Sequence, residues 1–205
     1  MVKFDERAIL DNGAYIYAMR QEIEAIADAV CEKGFDNILF TASGGSLAMM
    51  QPFDYMISVM SGLDVQSQVS AELLGVGNNR LTDRTLVFMA SKSGDTKETV
   101  EAAGYVKEKG AAIISALGVE GSPLGGLSDY TVVYKDGRPQ EFVLYMLVGR
   151  ILHNKGYFDD YVQFADELKN LPAALVSVGK ASDEKARAYA MKYKDDPYQI
   201  WICLL

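Results

Sequence analysis

Two short turns rich in serine and glycine carry the side chains best suited to chemistry in this 205-residue sequence. In one of them Ser91, Lys92, Ser93 and Thr96 surround a glycine just ahead of a helical pattern. Backbone N–H groups at the start of a helix point outward with the positive end of the helix dipole, and hydroxyl groups add further donors. A phosphate dianion fits such a turn without any arginine, so residues 91–96 are a candidate anion site.

The same turn also fits a purely structural role as a polar loop ahead of a helix. Asp95 followed by Glu98 resembles a capping box, in which two side chains satisfy the free N–H groups of the first helical turn. Considered alone, residues 91–96 leave both interpretations open.

A second turn of the same kind contains Ser43, Gly45 and Ser46. Its glycines allow the backbone to approach a ligand closely, and its hydroxyls both donate and accept, as sugar hydroxyls require. Turns that follow neighbouring strands of a doubly wound sheet converge on one crevice. Together the two turns predict a site for a small phosphorylated ligand, and neither of them matches a nucleotide-binding fingerprint.

Strand and helix patterns alternate around these turns. Apolar runs predict strands at 37–42, 65–70, 85–90, 111–117 and 130–134. Helical spacing predicts helices at 14–33, 47–61, 96–109 and 141–152, and a helical region at 157–194 interrupted at Leu171 and Pro172. This alternation predicts an α/β fold, a three-layer αβα sandwich with a five-stranded parallel, doubly wound sheet of the flavodoxin-like type and flanking helices. Both turns lie at carboxyl ends of strands, where such sheets bind ligands.

Composition and charge narrow the function classes. The net charge of −8 disfavours nucleic acid as a partner. The charged start lacks the apolar core of a signal peptide, and no apolar run approaches the length of a membrane span, so a cytoplasmic protein without a membrane partner is expected. Cys31 and Cys203 are interpreted as structural thiols, and no cluster has metal-ligand spacing.

Residues 38–46 and 91–99 resemble the two ligand turns of SIS (sugar isomerase) domains, and the similarity continues through 111–117, 122–124 and 129–130. The resemblance covers roughly residues 20–155 and is consistent with a flavodoxin-like SIS fold. Within that family the sequence is most similar to the N-terminal half of fructosamine 6-phosphate deglycases and to the isomerase half of glucosamine-fructose-6-phosphate aminotransferases.

The resemblance implies roles for the residues of the two turns. Ser91, Ser93 and Thr96 would bind phosphate together with the Lys92 amide. Ser43, Gly45 and Ser46 would line the sugar. Lys92 departs from the family, which often has glutamine at this position. The implied substrate is a phosphorylated sugar or Amadori compound, handled by proton transfer without a cofactor.

The resemblance also implies an arrangement of segments. Residues 1–34 would form an N-terminal helical segment, 35–155 the SIS domain, 156–197 a helical linker, and 198–205 the start of a truncated second SIS half. The family's acid/base glutamate and histidine lie in that second half. Catalysis by this chain is therefore open.

Two side chains remain as candidates for acid/base work. Glu141 lies near the start of an apolar helix and is the catalytic candidate, although a carboxylate there also complements a helix N-terminus. His153, the one histidine, is more simply explained as a cap for the end of that helix.

Three hypotheses follow from the sequence: an enzyme for phosphorylated Amadori compounds or amino sugars, a regulatory module that binds a sugar phosphate without turnover, and a fragment with the fold but little activity. We also expect a homodimer or higher homo-oligomer, because the apolar helix at 141–152 and the methionine-rich helix before it need cover.

Overall fold

The computed structural model describes residues 4–134 and 140–198. Its centre is a sheet of five parallel strands in the order β2-β1-β3-β4-β5. The strands are β1 (Asn37–Ala42), β2 (Asp64–Val69), β3 (Thr85–Ser91), β4 (Ala112–Leu117) and β5 (Tyr130–Val133). This is the strand order of a flavodoxin-like doubly wound sheet, so the predicted α/β fold is confirmed.

Helices cover both faces of the sheet and continue beyond it. They are α1 (Glu6–Ala18), α2 (Arg20–Lys33), α3 (Gly45–Met60), α4 (Ser70–Val76), α5 (Lys97–Glu108), α6 (Pro123–Leu127), α7 (Gln140–Asn154), α8 (Tyr161–Glu167) and α9 (Leu171–Tyr193). A short 3₁₀ helix, Leu168–Asn170, joins the last two.

Alternate residues of each central strand supply the two cores, because successive side chains of a strand point to opposite faces. Phe40 and Phe88 stack with ring centres 4.9 Å apart on the face that α2, α3 and α7 cover. Leu39 and Val87 belong to the other core, under α4, α5 and α6. Burial on both faces explains why β1 and β3 are almost continuously apolar in sequence.

The helix predicted at 14–33 is two helices that meet at Met19. The first begins earlier than predicted, at Glu6, because the Asp5 carboxylate accepts a hydrogen bond of 2.9 Å from the Ala8 N–H and caps the helix. Ile16 and Ile23 lie on either side of the break and are buried in the same core. The apolar spacing therefore continues across Met19, and the sequence does not reveal that the helix is broken there.

The helical region predicted at 157–194 is interrupted, but the break lies just before Leu171 and Pro172. The chain tightens into the 3₁₀ helix at Leu168–Asn170, and Pro172 lies in the first turn of α9. Proline is tolerated there because the N–H it lacks has no partner within the helix.

Two short helices were not predicted. Ser70, expected to end the second strand, begins α4, and α6 begins at Pro123. Both helices are seven residues or shorter, too few for apolar spacing to be recognised.

The apolar helix α7 is covered within the chain. Its residues Val143, Val148 and Leu152 are fully buried in the core shared with α2 and α3. Arg150 on α7 also donates two hydrogen bonds, of 2.7 and 3.1 Å, to the carboxylate of Asp28 on α2. This helix therefore does not need a second subunit to cover it, which removes one reason for the expected homodimer.

The strand predicted at 198–205 lies outside the described residues except for Tyr198.

Among the helices of the described ranges, none combines the length and apolarity that crossing a membrane requires.

Candidate functional site

The fold brings the two serine-rich turns side by side. The strands that precede them, β1 and β3, are hydrogen-bonded neighbours, with Thr41 paired in register with Met89. Since both strands run in the same direction, residues 43–46 and 91–96 emerge at the same edge of the sheet. The convergence predicted from the sequence is confirmed.

Hydrogen bonds within the turn at 91–96 fix its shape. The Ser91 hydroxyl accepts a 2.9 Å hydrogen bond from the Gly94 N–H and lies 3.2 Å from the hydroxyl oxygen of Thr96. Gly94 has a positive φ of 72°, which only glycine adopts without strain. Ser91 itself is buried, so its hydroxyl organises the turn from behind.

The loop after β4 supports this turn from its other side. The Gly118 N–H donates to the Ser91 carbonyl at 3.3 Å, and the Leu124 N–H donates to the Gly94 carbonyl at 2.9 Å. A side chain at Gly118 would overlap the Lys92 carbonyl, so glycine there lets the two loops touch. The backbone of the turn is therefore fixed before any ligand arrives.

The turn at 43–46 leads directly into α3. Gly44 has a positive φ of 55°, and α3 begins at Gly45. The Ser43 hydroxyl lies 3.2 Å from that of Thr99 on α5, which ties the first turn to the helix that follows the second turn.

A cleft of about 350 Å³ lies between the turns. It is lined by Ser46, Lys92, Ser93, Thr96 and Val119. Three residues with hydroxyl side chains and one lysine therefore border a common space at the N-terminus of α5, where the helix dipole favours an anion. Val119 adds one apolar wall, and its side chain is half-exposed. This arrangement can hold a phosphate group and a hydroxylated body attached to it.

The structure separates the seven predicted binding residues into two groups. Ser46, Lys92, Ser93 and Thr96 line the cleft. The other three, Ser43, Gly45 and Ser91, are not among the described residues that line it.

Val119 was not predicted as a site residue. It lies in the Gly/Pro/Ser-rich loop after β4, and β4 is the neighbour of β3 and ends at the same edge of the sheet. The position of that loop was therefore the feature that could have indicated Val119.

The alternative interpretation of Asp95 and Glu98 as a capping box on α5 does not hold. The N-cap is Thr96, one residue after Asp95, and no side chain donates or accepts a capping hydrogen bond there. Hydrogen bonds from Gly118 and Leu124 hold the turn that precedes the helix. The first N–H groups of α5 thus have no side-chain cap, as an anion site requires.

The two candidate acid/base side chains lie elsewhere. Glu141 is exposed in the first turn of α7 and does not line the cleft. His153 does not cap its helix as expected, because its Nδ1 atom lies 2.9 Å from the carbonyl oxygen of Phe158 in the following loop. Within the described ranges no three acidic, histidine or cysteine side chains converge as metal ligands would.

Comparison with known proteins agrees with the geometry. The SIS domain model matches residues 34–154. Fructosamine deglycase FrlB of Bacillus subtilis is 28% identical over 188 residues, covering 87% of this chain and 56% of its own length. The isomerizing glutamine–fructose-6-phosphate aminotransferase of Thermotoga maritima is 29% identical over 175 residues, covering 80% of this chain and 28% of its own length.

A solved structure from Bacillus subtilis, described as a phosphosugar isomerase, superimposes with a TM-score of 0.79 at 26% identity. The match covers 90% of this chain and 58% of that one. This chain therefore spans little more than half the length of the deglycase and less of the aminotransferase.

Proposed function

This chain belongs to the SIS domain family, and from that premise we propose that it binds a phosphorylated sugar in the cleft between its two serine-rich turns. The phosphate is held by the hydroxyls of Ser93 and Thr96 and by the first N–H groups of α5. The sugar body lies toward Ser46 and Val119. Lys92 supplies a positive charge at the rim of the cleft, in a protein whose net charge is −8.

One observation carries this proposal. Three residues with hydroxyl side chains and one lysine, from two separate turns, line a single cleft at the start of a helix. Hydrogen bonds to Ser91 and from the loop after β4 hold the turn in this shape without a ligand. A site already fixed in its binding conformation loses little conformational entropy when the ligand binds.

We propose a fructosamine 6-phosphate or amino-sugar phosphate as the ligand, because one relative of this chain is named for fructosamine and another for fructose 6-phosphate. In this hypothesis the chain acts as the N-terminal SIS half of a phosphosugar deglycase or isomerase. Ring-opened sugars are then processed by proton transfer, and Glu141 is the carboxylate to test first. The cytoplasmic location and the homodimer remain predictions.

The alternative is a module that binds or senses a sugar phosphate without turnover. One observation favours it: among the described residues that line the cleft, Lys92 is the only one with a titratable side chain. General acid/base catalysis needs such a group within hydrogen-bond reach of the substrate. Binding requires only the hydroxyl and N–H groups that the cleft provides.

The experiment is a thermal unfolding series with a hexose 6-phosphate, the unphosphorylated hexose and inorganic phosphate. A ligand that binds only the native state at 100 times its Kd adds about 2.7 kcal/mol. For a chain of this length that raises Tm by about 5–10 °C. The phosphorylated sugar should give the largest shift, phosphate alone a smaller one, and the free hexose almost none. Equal shifts from the phosphorylated and free sugars would refute a phosphate site.

A further inference from the structure

In the described part of the chain the sheet ends in two edge strands, β2 and β5, each paired with one neighbour. β2 pairs with β1 alone and is the longer of the two, with six residues against four. Proteins protect such edges with lysine, proline or a bulge, because unpaired main-chain groups recruit other strands. None of these features occurs in Asp64–Val69, and its one charge, on Asp64, already pairs with Arg80. A cavity of about 590 Å³ runs beside Gln66, Ser67 and Gln68.

The sequence of this edge strand is a palindrome. Residues 65–69 are Val-Gln-Ser-Gln-Val, which is identical in both directions. In an antiparallel pair of two copies centred on Ser67, each side chain therefore meets one of its own kind. Val65 lies opposite Val69 of the other copy, Gln66 opposite Gln68, and Ser67 opposite Ser67. Such isologous self-complementarity is what a two-fold symmetric contact requires.

In this pairing, equivalent side chains of the two copies lie on the same face of the joined sheet. Ser67 faces α3, where its hydroxyl donates a 2.6 Å hydrogen bond to Asp54. Gln68 faces the opposite side, where it accepts a 2.9 Å hydrogen bond from Asn78. Pairing in this register keeps valines and serines on one face and glutamines on the other, as the alternation of a strand demands.

Charge favours the same register. Asp64 is the one charged residue of β2. It does not lie opposite Asp64 of the other copy, so the two strands bring no like charges face to face.

The surroundings of β2 supply apolar area for a stable contact. A standard interface buries about 1,200–2,000 Å² in total, more than two six-residue strands provide. The helices that pack on β2, α3 and α4, expose large apolar side chains. These are Tyr55, Val59, Leu74 and Val76, and Val69 on the strand itself is 42% exposed.

We infer that β2 is a dimerisation edge, which pairs antiparallel with β2 of a second copy of this chain and joins two five-stranded sheets into one of ten strands. This inference is independent of the proposed ligand. It also differs from the packing first expected, since α7 is covered internally and takes no part.

Cross-linking tests the register. In a background where Cys31 and Cys203 are replaced by serine, Ser67→Cys places two thiols directly opposite each other. Oxidation should give a covalent dimer in high yield. Gln66→Cys and Gln68→Cys should each fail alone and cross-link when the two variants are mixed. A dimer in sedimentation that Ser67→Cys does not capture would overturn the inference, as would a monomer at tens of micromolar.

A disruptive variant tests the surface. Val69→Lys sets an ammonium group against Val65 of the other copy and should raise the dimer Kd at least tenfold. Val178→Lys on α9 is the matched control, because that valine is also exposed, at 63%, and lies away from β2. Thermal unfolding of both variants checks that each is folded. Equal dimer Kd values for Val69→Lys and the unmodified chain would exclude β2 as the contact.

Discussion

Gly94 lies directly against Ser122, so closely that a single methyl group on the glycine would overlap the serine side chain. The two residues belong to different loops, the turn after β3 and the loop after β4. The Leu124 N–H donates to the Gly94 carbonyl at 2.9 Å beside this contact. The position of the turn at 91–96 is therefore set by its neighbour as well as by its own hydrogen bonds.

Gly94→Ala should destabilise the protein and abolish ligand binding. The substitution forces alanine into φ near 72° and into the space of Ser122. The first effect costs about 1–2 kcal/mol and the second about 1–3. Urea unfolding should therefore show a loss of about 2–5 kcal/mol. Gly156→Ala is the control, because Gly156 also has a positive φ of 78° but has open space where a side chain would lie. If both variants lose the same stability, the contact with Ser122 has no energetic weight.

The double variant Ser93→Ala, Thr96→Ala should remove most of the ligand-dependent rise in Tm. Both hydroxyls line the cleft, and each hydrogen bond to a charged group contributes about 1.5–3 kcal/mol. Calorimetry should show affinity for a hexose 6-phosphate at least 100-fold weaker. Ser43→Ala is the matched control, since its hydroxyl bonds Thr99 and does not line the cleft. An unchanged affinity in the double variant would show that the phosphate assignment is wrong.

The sequence was sufficient to locate the two turns, but not to predict the hydrogen bonds and the helix cap within them. Burial on both faces makes β1 and β3 visible as apolar runs, and their bounds were predicted within one residue. The capping box suggested by Asp95 and Glu98 does not form, since the N-cap is Thr96. The turn before it is held by contacts from Gly118 and Leu124, 23 residues or more away in sequence. Local patterns carry no information on such contacts.

Local patterns also could not show which of the predicted binding residues line the cleft. Ser91 and Ser93 are indistinguishable in sequence, yet one is buried behind the turn and the other lines the cleft. Val119 carries no polar atom in its side chain, so only the strand order reveals it.

The Asp28 carboxylate should make stability depend on pH. Hydrogen bonds from Arg150 lower the pKa of Asp28; burial opposes this, and Asn154 adds a second lowering contact. A carboxyl whose pKa is lowered by folding stabilises the protein above its unfolded pKa of about 3.9, and this stabilisation is lost as pH falls through the folded pKa. Asp28→Asn should therefore cost about 0.5–1 kcal/mol at pH 7 and progressively less from pH 5 downward.

Urea unfolding at several pH values measures this difference. Asp36→Asn is the control, because the pair between Asp36 and Arg84 is more exposed, at 67% and 50%, and should matter less. An Asp28→Asn effect that stays constant between pH 7 and pH 3 would contradict a charge-dependent contact.

The chain should bind a sugar phosphate better than it turns one over. Binding depends on Ser46, Ser93 and Thr96, all of which line the cleft, whereas Glu141 is exposed on α7 outside it. The absence of a positioned general acid/base typically lowers a rate about 10²–10⁴-fold. Amine release from fructosamine 6-phosphates and aldose/ketose interconversion should therefore run far below a common enzymatic rate of about 10 per second, while calorimetry on the same preparation detects binding.

Glu141→Gln decides what any residual turnover means. The variant keeps the size of the side chain and removes its charge, so binding should be unchanged. If the unmodified chain turns over at about 10 per second and Glu141→Gln lowers kcat by 100-fold with an unaltered Kd, the binding-module alternative is excluded and Glu141 is catalytic. If the unmodified chain is fast and Glu141→Gln is equally fast, Lys92 becomes the residue to test, because it is the titratable side chain that lines the cleft in the described structure. Lys92→Met would then separate the two roles of its ammonium group: a loss of affinity alone indicates a phosphate contact, and a loss of kcat at constant affinity indicates proton transfer.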